Sequence, residues 1–360
     1  MTILGGHPSA RHLAVRALVR SKSPLYVGAV NNRRNLGDDL LFRAHEVLLD
    51  TGLSHLPMGG NNRLLRVRSV VHRDLPVVLG GGTLIGRPAY RRALEASFDL
   101  GGRRTHLSML GVGVSSPGTG GKSTQDELER WKNVLCRAPQ VRVRGPRSQA
   151  LLDTVGVQSV ITGDPVLALL RPLRKPLPER AGHMRIGVNP ADVPSWHPAE
   201  STILRLMGQI AQDSADIALV ALSAADYDDE VARRFVQVAT EHGLPTTVRT
   251  LSGSTPSDVS RALADLDLVI GVRLHILVSA AALGVPYIAR CYEDKSWDFQ
   301  GAVGLAGFSQ SLPDVDGDWL DERIRDLRGV GLPAEAEAKV DEFVARQQAA
   351  AHAALTELRL

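Results

Sequence analysis

Residues 267–295 read DLVIGVRLHILVSAAALGVPYIARCYEDK, and the order of elements in this stretch decides the fold. Residues 268–272 form a short apolar run, the mark of a strand buried on both faces. Residues 274–283 are rich in Leu, Val and Ala and predict a helix. Gly284 ends it, and Val285-Pro286 opens the next strand at residues 287–289. Strand, helix and strand in that order make one unit of a parallel α/β sheet. Arg273 and His275 stand where the first strand hands over to the helix. Ligands of open α/β sheets bind at that carboxyl end, and a helix N-terminus favours anions through its unpaired amides and dipole. There Arg273 can grip a carboxylate or phosphate with two parallel hydrogen bonds, and His275 can move a proton near neutral pH. The competing reading pairs Arg273 with a structural carboxylate and lets His275 cap or pack. Lys295 weighs against it. Only six lysines occur among 42 basic residues, yet one follows the next strand end in Tyr292-Glu293-Asp294-Lys295.

Working outward, 360 residues predict two domains. With 44% hydrophobic and 22% charged residues the chain is an ordinary globular one, with apolar matter for two cores. A net charge of +3 and 4% aromatics, with no basic run interleaved with aromatics, argue against nucleic acid as a partner. Cys136 and Cys291 offer neither a disulfide framework nor metal-ligand spacing, which suits a reducing cytoplasm. No run reaches the roughly 18 to 20 apolar residues of a membrane span. The basic segment 11–20, RHLAVRALVR, reads as a solvated helix face, with contact to a membrane surface as the alternative.

Residues 25–30, LYVGAV, predict a first buried strand, followed by a polar turn and an apolar-periodic helix through Leu40, Leu41, Ala44, Val47 and Leu48. Asp38 is placed to cap that helix. Residues 77–79 lead into Gly80-Gly81-Gly82, which either exposes consecutive amides to a ligand or makes a tight turn. Arg91 and Arg92 are expected on a solvated helix face. Residues 106–114 predict a third strand. In the loop after it, Gly118-Thr119-Gly120-Gly121-Lys122-Ser123 fails as a nucleotide-binding P-loop because the leading glycine is absent, with Pro117 in that region. Thr124-x-x-Glu127 is a capping box. Residues 141–144 predict a fourth strand, with Arg144 a second cation at a strand's carboxyl end. Residues 157–162, then Gly163-Asp164-Pro165, complete this series.

The proline- and charge-rich segment that begins at Arg171 predicts a linker. A second alternating series follows, with strands at 184–190, 217–222 and 246–248 and helices at 199–212, 226–242 and from Pro256, capped by Thr255. Trp196-His197-Pro198 is a weak site candidate in a loop. The chain turns helical again from Trp319 and ends in a long Ala-rich helix, 334–358. The expected organisation is an N-terminal lobe at 1–170, a linker at 171–183, a C-terminal lobe at 184–330 and a C-terminal helix at 331–360. The fold class is α/β: two Rossmann-like lobes facing a cleft, similar to the GT-B arrangement of glycosyltransferases.

Gly271-Val272-Arg273-Leu274-His275, then Gly284-Val285-Pro286, then Tyr292-x-x-Lys295, resemble the C-terminal signature of the polysaccharide pyruvyl transferase family. The resemblance spreads over most of the chain. Asn35-x-Gly37-Asp38 is similar to that family's N-terminal motif, Gly80-Gly81-Gly82 to its glycine turn, and Arg144 with Ser148 to its arginine–serine element. Gly163-Asp164-Pro165 resembles the turn closing its first lobe. The chain departs in having Gly145-Pro146 between Arg144 and Ser148, where an acidic residue is more usual, and in extra residues before Asn35.

The resemblance implies transfer of the pyruvate unit of phosphoenolpyruvate onto two hydroxyls of a sugar in a polysaccharide or glycolipid. A cyclic ketal forms and phosphate is released. It implies donor binding by Arg273, Arg144, Leu274, Lys295, Gly81 and Gly82, and acceptor binding by Asn35 and Asp38. His275 would transfer protons, and Asp38 would bind or deprotonate the acceptor, with a plain helix cap as its alternative. No metal or cofactor is required, phosphoenolpyruvate being the co-substrate. A lipid-linked acceptor would place the chain at the inner face of the membrane. Two other readings remain: a GT-B glycosyltransferase using Arg273 and Lys295 on a nucleotide-sugar diphosphate, and a non-catalytic protein that binds anionic saccharides.

Overall fold

The structure is a computed structural model that describes residues 23–29, 35–56, 74–101, 105–117, 123–176, 184–193, 217–312 and 317–360. The expectations for residues 11–20, 31–34, 118–122, 177–183, 196–198 and the helix at 199–212 lie outside the described residues.

Strands β1 (Leu25–Val27), β2 (Ser54–His55), β3 (Leu75–Leu79) and β5 (Thr105–Met109) form a sheet in the order β2-β1-β3-β5. Strands β4 (Gly82–Ile85), β6 (Val112–Val114), β7 (Arg142–Val143) and β8 (Val160–Ile161) form a second, in the order β4-β6-β7-β8. Every pairing is parallel. The predicted strand at 106–114 is therefore two strands in two sheets. It breaks at Leu110-Gly111, where the backbone takes φ +61° and a side chain on Gly111 would lie 2.2 Å from the Gly163 carbonyl oxygen. The chain breaks at the same level between β3 and β4, so two neighbouring paths step together from one sheet into the next.

Helices α1 (Leu36–Leu48), α2 (Pro88–Gly101), α3 (Gln125–Leu135), α4 (Pro146–Asp153) and α5 (Pro165–Leu170) connect these strands. Arg91 on α2 is not solvated as expected. It is buried, with Nε donating to Glu127 on α3 at 2.7 Å and Nη1 to Glu95 at 2.6 Å. That pairing also uses the acidic half of the predicted capping box. Thr124 accepts from the Glu127 amide at 3.1 Å, while the Glu127 carboxylate turns to Arg91.

The C-terminal sheet contains β9 (Met184–Asn189), β10 (Ile217–Ser223), β11 (Thr246–Thr250), β12 (Leu268–Gly271), β13 (Tyr287–Cys291) and β14 (Ser309–Ser311), in the order β11-β10-β9-β12-β13-β14. Central strand β12, LVIG, is buried along its whole length, and its neighbour β9 is buried at every position but Arg185. Edge strand β11, TTVRT, is mostly polar and half-exposed or exposed. Helices α6 (Asp229–Glu241), α7 (Pro256–Leu263), α8 (Leu274–Leu283), α9 (Asp294–Val303), α10 (Gly317–Leu327) and α11 (Ala334–Leu358) complete the described chain. Thr255 caps α7, as its sequence predicts, and the structure adds a reciprocal cap from Asp258. Among the described residues no helix is long and apolar enough to cross a membrane.

Helix α8 is apolar nearly all round, which fits an element enclosed on every side. One apolar cluster joins its Ile276, Leu277 and Val278 to Leu36 and Leu40 of α1, Val166 and Leu170 of α5, and Val340 and Phe343 of α11. The two lobes thus share a core. Helix α11 ties them further. Its Glu337 accepts from Arg171 and Arg174 at 2.7 Å, and Gln347 Nε2 donates to the Gly163 carbonyl at 2.6 Å. At its far end Glu357 takes both Nη groups of the buried Arg142, at 2.9 and 2.6 Å, and the Ser108 hydroxyl at 2.6 Å.

Burial pushes the Glu357 carboxyl up, but Arg142 and Ser108 outweigh it and hold it below the usual glutamate range. The stability this adds is present at neutral pH and is lost as pH falls through the depressed value. Glu357→Gln leaves Arg142 buried without its counter-charge, so it is expected to lower the unfolding free energy at pH 7 by about 3 kcal/mol. In urea titrations the difference should shrink below about pH 4. Equal midpoints at pH 7 would contradict the pairing.

Candidate active site

In the C-terminal sheet the strand order reverses between β9 and β12, which makes their carboxyl ends a crevice. Asn189 closes β9 and organises that point. Its Nδ2 donates to the Leu222 carbonyl at 2.7 Å, and its Oδ1 accepts from the Arg273 amide at 2.8 Å. This fixes the turn from which α8 starts, with Arg273 at its N-cap. The Arg273 side chain is largely committed to protein groups. Nε and Nη2 pair with Asp228 at 3.0 and 2.6 Å, Nη2 also reaches the Asp192 carbonyl at 2.9 Å, and Nη1 reaches the Tyr292 hydroxyl at 3.3 Å. Its guanidinium also lies 4.8 Å from the Tyr227 ring centre. Burial opposes its charge, but Asp228 outweighs burial and keeps the group firmly cationic. The structural-carboxylate reading of Arg273 therefore describes its contacts. Lys295 is paired as well, with Glu293 at 2.7 Å.

Arg144 is different. It ends the β7 segment, is 1% exposed, and makes one side-chain hydrogen bond, from Nη2 to the Thr83 hydroxyl at 3.3 Å. Its Nε and Nη1 have no hydrogen-bond partner. Asp164 Oδ2 lies 4.0 Å from Nη1 and 3.6 Å from Nε2 of His275, and neither Oδ2 nor Nε2 has a hydrogen-bond partner. A buried arginine with unmet donors marks a place where an anion or ordered water completes the geometry. Burial pushes the Asp164 carboxyl up, but His275, Arg144 and the Val166 amide together outweigh it and hold it below the usual aspartate range.

The N-terminal lobe supplies the facing wall. The structure moves the cap of α1 from Asp38 to Asn35. The extended backbone of Asn35 starts the helix, and its Oδ1 accepts from the Gly37 amide at 2.9 Å. Asp38 lies in the first turn, where the helix dipole favours a carboxylate. Asn35 also reaches across the cleft, its Nδ2 donating to the Tyr227 hydroxyl at 3.2 Å. Gly37 lies against the His275 ring so closely that a Cβ would sit 2.2 Å from Nδ1.

Residues of both lobes line one cavity of about 330 Å³, within the roughly 300–1,000 Å³ of small-molecule sites. Asn35, Asp38, Gly82, Arg144, Arg273, Leu274, His275 and Lys295 all border it, with Thr83, Arg87, Tyr90, Tyr227 and Tyr292. Burial raises the Tyr90 and Tyr227 hydroxyls, so both stay neutral donors. Gly81 does not border the cavity. A side chain there would meet Leu41 of α1 at 2.3 Å, so its smallness serves packing, and the chain beyond continues as strand β4. A larger hollow, of about 620 Å³, lies between α3, α4 and β8 and holds none of these residues.

A second contact sets Arg144 in place. Helix α4 has no cap from Gly145, and Asp298 of α9 supplies the carboxylate instead. Its Oδ1 accepts from the Arg147 amide at 2.8 Å, and its Oδ2 from the Ser148 hydroxyl at 2.7 Å. A Cβ on Gly145 would sit 2.3 Å from Oδ1. The missing acidic residue at Gly145-Pro146 is thus met by an aspartate from the other lobe. Asp164, Asp228, Asn189 and Asp298 escaped the sequence reading because each reaches its partner across a large chain separation. Asp164 carried one signal, its turn, which its role as N-cap of α5 already explains.

The fold is similar to solved structures at low identity. A putative UDP-N-acetylglucosamine 2-epimerase from Listeria monocytogenes matches with TM-score 0.55 and 13% identity, over 90% of this chain and 90% of that one. The UDP-GlcNAc 2-epimerase from Neisseria meningitidis bound to UDP-GlcNAc matches with TM-score 0.55 and 11% identity, over 93% and 99%. Accessory secretory protein 1,2 and 3 of Streptococcus pneumoniae matches with TM-score 0.50 and 11% identity, over 78% of this chain, which spans only 53% of that one. These likenesses carry the fold, two Rossmann-like lobes facing a cleft in the GT-B manner, and nothing about chemistry. No curated protein matches the chain. Its residues 31–290, which include Asn35, Gly37, Arg144, Asp164, Arg273 and His275, match the polysaccharide pyruvyl transferase family, and the chain belongs to that family.

Proposed function

We propose that the chain transfers the pyruvate unit of phosphoenolpyruvate onto two hydroxyls of a sugar in a polysaccharide or glycolipid, forming a cyclic ketal and releasing phosphate. The observation that carries this reading is Arg144, buried at the cavity wall with Nε and Nη1 unpartnered beside His275. Phosphoenolpyruvate brings a carboxylate and a phosphate, so it asks for fixed cations on more than one side. Arg144 offers two donor positions that no protein hydrogen bond takes up, with Nη1 facing Asp164 at 4.0 Å, and each charge-assisted contact is typically worth about 1.5–3 kcal/mol. Arg273, Lys295 and Arg87 border the same space. Arg273 is already held by Asp228, so its part is a rigid positive wall more than a full bidentate grip. Gly82 and Leu274 border the same cavity.

The proton balance is simple. The donor's methylene carbon gains one proton and becomes a methyl group, while C2 takes bonds from two sugar oxygens. Of the two hydroxyl protons released, one equals the proton gained at carbon and the other leaves with phosphate. A single imidazole that takes a proton from a hydroxyl and returns it to carbon closes the account, and His275 borders the cavity to do so. Such a role is usually worth roughly 100- to 10,000-fold in rate. The acceptor side falls to Asp38 and Asn35, with neutral Tyr90 and Tyr227 as hydrogen-bonding neighbours. A lipid-linked acceptor would bring the chain to the inner face of the membrane.

The reading is tested by incubating the protein with phosphoenolpyruvate and a panel of sugar acceptors, following phosphate and product mass. Acceptor-dependent phosphate release with a product carrying one added pyruvate ketal is expected. Release of nucleotide from a nucleotide-sugar, with no use of phosphoenolpyruvate, would mark a glycosyltransferase and overturn it. Saccharide binding that survives His275→Ala, with no turnover by the parent protein, would mark a binding protein.

Gly37→Ala separates site geometry from stability. Alanine is the better helix former by about 1 kcal/mol, yet its Cβ would invade the space of His275 Nδ1. Activity is expected to fall by about 100-fold or more while the melting temperature holds. Full activity in Gly37→Ala would show that the ring does not work from this position.

A further inference from the structure

Asp164 is fully buried, and its two oxygens have different fates. Oδ1 is spent on the chain itself, accepting from the Val166 amide at 3.0 Å as the N-cap of α5. Oδ2 has no hydrogen-bond partner, and the two nearest ionisable atoms, His275 Nε2 at 3.6 Å and Arg144 Nη1 at 4.0 Å, have none either. One donor-seeking oxygen and two donor positions thus face one another with no competing hydrogen bonds. Contacts of this kind commonly lengthen in an empty site and tighten when a ligand is bound.

A neutral imidazole carries one N–H, and its place is set by what the other nitrogen meets. A proton on Nε2 gives Asp164 Oδ2 its donor. A proton on Nδ1 instead would set the Nε2 lone pair against a carboxylate inside the protein, where an unmet acceptor costs about 1–3 kcal/mol. Nδ1 lies on the other side of the ring, packed close against Gly37, whose lack of a side chain lets the ring sit there, and both residues border the cavity.

We propose that Asp164 is a positioning residue that holds the Nε2–H of His275, so that Nδ1, beside Gly37, is the nitrogen that exchanges a proton with the reacting groups. For the reaction it serves, this rests on the pyruvyl-transfer reading; for the tautomer it does not. As the hydroxyl oxygen bonds to C2, the double bond from C2 opens toward the methylene carbon, and Nδ1 takes the hydroxyl proton. The imidazolium so formed faces the Asp164 carboxylate, and the proton passes on to the methylene carbon. The second hydroxyl then displaces phosphate, and its proton leaves with the phosphate. His275, Arg144 and the Val166 amide outweigh burial and keep Asp164 ionised through neutral pH. Arg144 shares that carboxylate, and Asp38, Arg87, Arg273 and Lys295 are the other charged groups on the cavity wall.

Two measurements on the full chain test the role. In long-range nitrogen–proton NMR spectra without substrate, the neutral His275 ring, assigned with His275→Gln, should show Nε2 protonated and Nδ1 bare. In Asp164→Asn, whose side chain still accepts from the Val166 amide, this preference should be lost. The opposite tautomer in the parent protein, or no change in Asp164→Asn, overturns the proposal whatever the enzyme's substrate. In turnover, Asp164→Asn should lower kcat by about 100-fold or more and alter its pH profile, without raising KM for phosphoenolpyruvate, because a negative charge beside Arg144 is removed. A higher KM with unchanged kcat would show a merely structural role. If the NMR result holds and no acceptor yields a ketal, the tautomer stands and the proposed reaction falls.

Discussion

A carboxylate taken wholly out of water has to meet positive charge or give up its own, and Asp164 meets it from two directions. Arg144 belongs to the N-terminal sheet and His275 to the helix that follows β12, so the contact is made only when both lobes are seated together. At 3.6 and 4.0 Å neither contact is a full hydrogen bond, and Arg144 keeps two donor positions unmet. Such a cluster is costly as a piece of protein interior. It makes physical sense as a site whose last partner arrives from outside.

The rest of the fold keeps that cluster in register. The shared apolar core packs α1, α5, α8 and α11 against one another, so α8 cannot shift without disturbing the N-terminal lobe. Asp298 crosses from α9 to cap α4 immediately after Arg144, and Asn189 fixes the turn before His275. Asn35 reaches Tyr227 on the far side of the cavity. Asp298 in particular sets a carboxylate from one lobe at a helix N-terminus of the other, where an unpaired backbone amide gives direction to the contact.

The sequence was most informative where one element explains one pattern. The alternation of apolar strands and helices, the stop at Gly284, the Thr255 cap and the final helix at 334–358 all follow from local chemistry, and the structure has them. Errors arose where a local rule had a nearby rival. Asp38 looked like a cap because Asn35, three residues earlier, is an equally good one, and the buried Leu36 draws the helix start back to it. The run 106–114 looked continuous because nothing in its apolar pattern marks the step at Gly111, which exists to clear Gly163 more than fifty residues away. Arg91 looked solvated because its partner Glu127 sits on another helix. At the site, the cations and the histidine were legible by type and placement. Their pairings were not, since Asp228 and Asp164 meet them only in three dimensions. That difference changes the chemistry: Arg273, the more conspicuous cation in sequence, is the more fully engaged one, and Arg144 is the one with donors to spare.

The most direct measurement is a crystal structure of the chain with phosphoenolpyruvate bound. The donor's acidic oxygens should lie within hydrogen-bond distance of Arg144 Nε and Nη1, with His275 at the same cavity and Asp164 drawn to Nε2. Phosphoenolpyruvate bound away from this cavity, or absent at saturating concentration while ordered water meets both Arg144 donors, would contradict the account.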